Sequence, residues 1–216
     1  MEWGYSIICF ICGILCGNIS TGYFVAKANH VDIMHEGSGN VGSTNALRTM
    51  GKLGGALTLV GDILKALIPV LLVKFVFFKD LQGLDNGLFS TDYYMLLTGF
   101  GVVLGHNYPF WLHFKGGKGI ASTGGMMLGF TLPIAWVLFG TFIVVVAITK
   151  YVSLGSLIAI LGIPVGIALL YPGKWVLLII GILYAASAYY SHRGNIDRLI
   201  HHTERKISIG GKKKEE

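Results

Sequence analysis

The stretch Gly119-Ile-Ala-Ser-Thr-Gly-Gly-Met-Met-Leu-Gly-Phe-Thr-Leu-Pro133-Ile-Ala-Trp-Val-Leu-Phe-Gly-Thr-Phe-Ile-Val-Val-Val-Ala-Ile-Thr149 decides how this chain is laid out. It is apolar throughout and too long for one straight membrane crossing, which needs roughly 17–25 residues. Pro133 interrupts it: proline has no amide proton to donate, and its ring clashes with the turn before it. The stretch therefore reads as two short helices, about 120–131 and 134–149. That one break reverses the direction of everything that follows.

Working outward, residues 3–26, 53–78 and 92–107 form apolar segments before the break. Residues 152–171 and 174–190 follow it, parted by the turn Tyr171-Pro172-Gly173. The expectation is an all-α, polytopic integral membrane protein with seven transmembrane helices. A single membrane-embedded domain spans 1–216, ending in a basic tail, 191–216. Charge favours the odd count. Glu2 is the only charged residue before the first segment, whereas the tail carries Arg193, Arg198, Arg205, Lys206, Lys212, Lys213 and Lys214. Lysine and arginine gather on the cytoplasmic side, so the N-terminus lies outside and the tail inside. Lys27, Arg48 and Lys52, then Lys115 and Lys118, then Lys150 also fall inside. The loop 79–91, with Asp80 and Asp85, falls outside. Six spans would export the basic tail.

Composition agrees. Of 216 residues, 53% are apolar and only 13% charged, against about 25% charged in a soluble domain, and the mean hydropathy is +0.66. The net charge of +6 sits in short loops and the tail, which marks orientation rather than nucleic-acid binding. The first segment lacks a basic leader and continues apolar to Val25, so we read it as a retained span rather than a cleaved signal. Cys9, Cys12 and Cys16 lie in it at helical spacing. Without His or carboxylate neighbours they do not form a metal set. No metal or cofactor is expected.

Three polar segments interrupt the apolar ones. The first is Gly37-Ser38-Gly39-Asn40-Val41-Gly42-Ser43-Thr44-Asn45-Ala46-Leu47-Arg48. Mobile backbone, short donors and one arginine are the parts that hold phosphate. Its G-x-G-x-x-G matches the dinucleotide fingerprint in letters only, because that fingerprint needs a preceding strand and a βαβ unit. The Lys-Ser/Thr ending of a Walker loop is missing. The second segment runs Gly105-His106-Asn107-Tyr108-Pro109-Phe110, then Phe114-Lys115-Gly116-Gly117-Lys118-Gly119. Two lysines in a glycine run before a helix suit an oxyanion, with helix amides and ammonium groups acting together. Interface-marking lysines would explain the charge but not the glycines. The third segment is Ser191-His192-Arg193-Gly194-Asn195-Ile196-Asp197-Arg198, followed by Thr203-Glu204-Arg205-Lys206. Its H-x4-D spacing matches the catalytic pair of the common membrane glycerolipid acyltransferases, but five-residue spacings arise easily by chance and nothing else here fits them.

Two charges lie inside the second apolar segment. Asp62 and Lys65, one helical turn apart, are expected to pair as a structural ion pair. Ser153 and Ser156 flank a helix start, where an N-cap is their ordinary role.

Taken in order, Gly37-Ser-Gly-Asn-x-Gly-Ser-Thr-Asn-x-x-Arg48, Gly105-His-x-x-Pro109 with Phe114-Lys-Gly-Gly-Lys-Gly119, and His192-Arg-x-Asn195 with Glu204 resemble the three motifs of the bacterial acyl-phosphate:glycerol-3-phosphate acyltransferases, the PlsY family. The resemblance runs through essentially the whole chain. It departs at Ser43, where alanine is usual. It implies a bacterial inner-membrane enzyme with seven helices and a cytoplasmic active site. The implied reaction takes an acyl group from acyl phosphate to glycerol 3-phosphate, giving lysophosphatidic acid and phosphate, with no metal or cofactor. It implies His192, Asn195 and Lys118 as catalytic residues. Ser38, Gly39, Asn40, Thr44, Asn45, Arg48 and Lys115 are substrate-binding candidates, with Ser153 and Ser156 added without a choice between them. Glu204 is structural. The partners are the two substrates and the lipid bilayer, with no nucleic acid and no obligate protein partner.

The residues agree with that chemistry. Both substrates carry phosphate, and the chain offers two glycine-rich basic segments. An acyl phosphate is already activated, so a nucleophilic Ser or Cys is unnecessary, and positioning and charge stabilisation suffice. The hydroxyl proton goes either to His192 or to a substrate phosphate oxygen. The competing class is a transporter of a phosphorylated metabolite, which would place its site near the midplane between internal repeats. No repeat is visible, and the polar segments gather on one face.

Overall fold

The computed structural model describes residues 2–79 and 88–207. Asp80, Asp85 and Lys212, Lys213 and Lys214, used above for orientation, lie outside the described residues. Within those residues the structure is helical throughout, with no strand.

The chain runs α1 (Glu2–Gly17), α2 (Thr21–Ala28), α3 (Ser43–Leu72) closed by a π-helical turn (Val73–Phe77), and α4 (Thr91–Asn107). Then follow α5 (Ile120–Phe130), α6 (Leu132–Thr149), α7 (Val152–Ile160), α8 (Gly162–Leu170), α9 (Trp175–Ser191) and α10 (Arg193–Ile200). The break expected near Pro133 is present. Thr131 is extended, ending α5 and opening α6, and Pro133 sits in the first turn of α6, where a missing N–H costs nothing.

Other boundaries differ from expectation. The first segment divides at Asn18-Ile19-Ser20 into α1 and α2. The second begins ten residues early, at Ser43 rather than 53, and kinks at Gly51, whose φ of 73° and ψ of −168° no helix contains; only glycine takes such a backbone without strain. Residues 152–171 divide at Leu161, because Pro164 has no N–H for the carbonyl of Ile160. Among the described residues, four helical stretches are long and apolar enough to cross a membrane: Glu2–Ala28, Ser43–Phe77, Leu132–Thr149 and Val152–Leu170. A fifth is gained if α9 and α10, bent by 62°, count together. Helix α4, with 17 residues, stands at the lower limit for a crossing, and α5, with 11, falls short of it.

Helix α4 is the central pillar, with 13 of its residues buried. Helix α1 lies against it along small residues. Gly13 meets Gly101, and Gly17 and Gly105 each abut the opposite backbone, the close approach that packing in lipid relies on. Buried Tyr184 of α9 donates from its hydroxyl to the carbonyl of Leu96 at 2.9 Å. The outward faces are apolar: Ile7, Ile8, Ile11 and Leu15 on α1, and Trp136, Val137, Ile143, Val144 and Ile148 on α6 are all exposed. A belt of that extent belongs in lipid.

Candidate active site

The three polar segments meet. They line one cavity of about 880 Å³, together with the first turn of α7 and the chain after α10. Its mouth is polar. Below lie apolar walls from Leu59 and Ile63 on α3, Leu138, Phe139 and Phe142 on α6, and Ile160 on α7.

The first segment is a loop stitched by amides. Asn45, buried in the first turn of α3, donates from Nδ2 to the carbonyls of Ile33 (3.3 Å) and Glu36 (3.0 Å). Its Oδ1 accepts the N–H of Ser38 at 2.8 Å. Asn40 accepts the N–H of Gly42 at 2.9 Å and donates to the carbonyl of Gly116 at 3.1 Å, tying the first segment to the second. Both side chains are engaged in holding the loop. Ser38, Gly39, Thr44 and Arg48 are left facing the same cavity, with Arg48 exposed.

In the second segment the two lysines part company. Lys118 lines the cavity and donates to Oδ1 of Asn195. Burial pushes its ammonium down to about 8, with Glu204 pulling the other way and Arg198 and Arg48 adding to the depression. Lys115 is exposed and is not among the lining residues, so the structure does not bring this substrate-binding candidate into the site. The glycine run turns between the two, so one lysine faces in and the other out.

The third segment bends where α9 meets α10. His192 and Asn195, three residues apart, are both buried and line the cavity. The Nδ1 of His192 lies 2.8 Å from the carbonyl of Ala188. A carbonyl only accepts, so Nδ1 carries the proton and Nε2 presents a lone pair. Burial first, then the neighbouring Lys118 ammonium, push this imidazole down to about 4, against the Ala188 carbonyl and Glu204. His192 is therefore neutral at pH 7.

Glu204 is the hub. Its Oε1 accepts from Ser153 Oγ (2.9 Å) and Asn195 Nδ2 (2.7 Å), and its Oε2 from Arg198 Nε (2.7 Å). Burial raises its carboxyl, but hydrogen bonds from Asn195, Arg198 and Ser153 outweigh that and hold it below the usual carboxylate range. The N-cap reading of Ser153 and Ser156 fails. Tyr151 occupies the cap of α7 without a side-chain bond, Ser153 turns to Glu204, and Ser156 bonds back to the carbonyl of Val152. Both serines line the cavity.

Asp62 and Lys65 pair as expected, Nζ to Oδ1 at 2.9 Å. The pair has a third member that the sequence reading left out: Nζ also lies 2.7 Å from Nδ1 of His106 and 2.8 Å from the carbonyl of Ile19. Arg198 and Arg205, which fall in the third segment but not among the candidate site residues above, both line the cavity, and Arg205 donates to the carbonyl of Gly37 at 3.1 Å. The spacing of Arg198 from Asn195, three residues on one helix face, was the available signal. Cys9, Cys12 and Cys16 line a different cavity, with Tyr5, Leu72 and Phe78.

Fold and site define a class: a helical integral membrane protein with a polar cavity that joins several cations to an apolar trough. Residues 7–202 match the family model described as glycerol-3-phosphate acyltransferase. The chain is 46% identical over 216 residues to the glycerol-3-phosphate acyltransferase of Clostridioides difficile, covering 100% of both chains. It is 42% identical over 213 residues to that of Thermosipho melanesiensis, covering 98% of this chain and 96% of the relative. Among solved structures it resembles PlsY, an integral membrane glycerol 3-phosphate acyltransferase. The TM-score is 0.82 to the glycerol 3-phosphate form and 0.80 to the lysophosphatidic acid form. Identity is 32% in each case, covering 94% of this chain and 96% of that one. This chain belongs to the glycerol-3-phosphate acyltransferase family.

Proposed function

We propose that the chain transfers a fatty acyl group from acyl phosphate to the sn-1 hydroxyl of glycerol 3-phosphate, yielding lysophosphatidic acid and inorganic phosphate in phospholipid synthesis. It acts at the cytoplasmic face of a bacterial inner membrane, through seven spans with the N-terminus outside. In that arrangement α4 and α5 cross as short helices shielded by their neighbours. The observation that carries the reading is the single cavity that gathers Arg48, Lys118, Arg198 and Arg205 around Glu204 and continues downward between apolar walls. Two phosphates fit such a mouth and an acyl chain fits such a trough. A transporter of a phosphorylated metabolite would instead place its site near the midplane between internal repeats, whereas the sequence has no visible repeat and its polar segments are read as gathering on one face.

The hydroxyl oxygen forms a bond to the acyl carbonyl carbon, its proton passes to a substrate phosphate oxygen, the bond from that carbon to the bridging phosphate oxygen breaks, and inorganic phosphate leaves. Lys118 and the arginines hold charge that builds on carbonyl and phosphate oxygens. The Nε2 lone pair of His192 accepts a hydrogen bond from the attacking hydroxyl. Asn195 is set by Glu204 and in turn sets Lys118. No residue needs to form a covalent acyl intermediate, because the donor arrives activated.

Purified protein in detergent or lipid, supplied with acyl phosphate and labelled glycerol 3-phosphate, is expected to form labelled lysophosphatidic acid, and to do so with EDTA present. Acyl-CoA or acyl carrier protein should not replace the donor. Folded protein that forms no product from acyl phosphate refutes the proposal.

A further inference from the structure

We propose that Asp62, Lys65 and His106 are positioning residues for Lys118. They form a buried cluster that props the lysine-bearing loop against the end of α4 and so sets where its ammonium stands. This inference rests on the role given to Lys118 in acyl transfer.

The cluster is buried. The side chains of Asp62, Lys65 and His106 are 2%, 5% and 4% exposed. Charges in a membrane interior are costly and persist where they pair or serve the site. Asp62 and Lys65 alone satisfy the first condition, since they lie on one helix three residues apart. The further links of Lys65 go elsewhere, to the carbonyl of Ile19 at the break between α1 and α2 and to Nδ1 of His106 at the end of α4. An ammonium only donates, so Nδ1 of His106 is the accepting nitrogen and Nε2 carries the hydrogen. The ring is thereby fixed in tautomer and in plane.

That fixed ring is what the loop rests on. A Cβ built on Gly117 would stand 1.9 Å from Nε2 of His106, so the backbone of Gly117 lies directly on the imidazole edge and only glycine fits. The N–H of Gly117 donates to the carbonyl of His106 at 3.0 Å, and that of Gly116 to the carbonyl of Asn107 at 3.1 Å. Lys118 is the next residue. From Asp62 through Lys65 and His106 to Gly117, each link is a direct contact, and the last is adjacent to the group that enters the cavity. The cluster borders the same cavity through Asp62 and His106.

The test is the titration of Lys118 itself, read by acetylation of the purified protein with acetic anhydride across pH and peptide mass spectrometry. The groups facing Lys118 are Glu204, Arg198, Arg48 and His192, and none is changed. In the wild type the half-point is expected near the depressed value of about 8. In His106→Ala, and separately in Gly117→Ala, the loop loses its seat. The half-point then moves up by about one unit toward the ordinary lysine value, with about a tenfold fall in kcat/KM for glycerol 3-phosphate. His106→Gln, which restores an acceptor for Lys65, should lie between. Labelling of exposed Lys115 should be the same in every variant. Where His106→Ala does not fold, Gly117→Ala decides, because it leaves the cluster's own charges intact. Folded variants whose Lys118 half-point stays at the wild-type value overturn the inference. Labelling needs no turnover, so a wild type that makes no product refutes the acyl-transfer reading while the positioning result stands on its own.

Discussion

Replacing Glu204 by alanine is expected to cost about 3–6 kcal/mol of stability and about 10²-fold in kcat/KM. The carboxylate accepts three hydrogen bonds, from Ser153, Asn195 and Arg198, at 2.7–2.9 Å, and bonds to a charged group contribute about 1.5–3 kcal/mol each. The Arg198 share is at the low end, because that side chain is 42% exposed and water competes for it. Ser153 and Asn195 are buried, and without Glu204 their donors have no partner. Asn195 then no longer holds Lys118, and about 2.7 kcal/mol of lost transition-state stabilisation corresponds to the hundredfold fall. Glu204→Gln keeps an acceptor for Ser153 and Asn195 and loses the charge, so the loss should shrink to about tenfold. The pH sign follows from the depressed carboxyl: its stabilisation is complete above the unfolded value of about 4.3 and is lost as pH falls through the lower folded value. Thermal unfolding in detergent against pH, with steady-state kinetics, measures both effects. If Glu204→Gln is as damaging as Glu204→Ala, or if neither changes kcat/KM, the hub reasoning is refuted.

Arg48→Ala should abolish detectable turnover at limiting glycerol 3-phosphate with normal expression, and Arg48→Lys should recover only part of it, because a point charge does not replace a bidentate fork; steady-state assays at low substrate check this. Activity should fall on the alkaline side with a midpoint near the Lys118 value of about 8, as the ammonium loses its proton, and Lys118→Arg should move that limb out of the measured range even where it lowers the maximum. His192→Ala should lower kcat by about 10-fold through loss of one oriented hydrogen bond. The full 10²–10⁴-fold of general-base catalysis, with a flattened pH profile, would show instead that the imidazole takes the proton.

The break after Phe130 was legible because proline acts locally and the apolar run around it has a length that lipid constrains. The three polar segments were legible because glycine, lysine and arginine stand out in an apolar chain. What was not legible depended on contacts between distant residues. Ser43 to Met50 reads as loop by composition, yet it is helical, with Asn45 satisfying groups seven to twelve residues upstream. Lys115 and Lys118 are equivalent in a glycine run, and only the docking of Gly116 and Gly117 onto the end of α4 separates them. Ser153 looks like a cap until Glu204, 51 residues later, reaches it. His106 carries no helical-period signal toward Lys65, because the two meet across helices.

In the proposed reaction, the tautomer of His192 bears on how the acceptor hydroxyl would be activated. With its Nδ1 hydrogen committed to the Ala188 carbonyl, the ring has no donor left for a phosphate oxygen, so it orients a hydroxyl rather than a phosphate. At about 4 it is a weak base, far from the operating pH at which general bases work best. The Lys118 ammonium that lowers it also favours negative charge in the cavity, whereas burial penalises any charge left without a partner. The cation that makes the imidazole a poorer proton acceptor thus makes a developing oxyanion and a departing phosphate more stable. Because the departing phosphate is itself a base held among Lys118 and the arginines, the proton released from the hydroxyl has a better destination on a substrate phosphate oxygen than on the protein. In the proposed reaction His192 would then contribute direction to the attack, and the electrostatic share of the barrier would fall to Lys118, Arg48 and the arginines around Glu204.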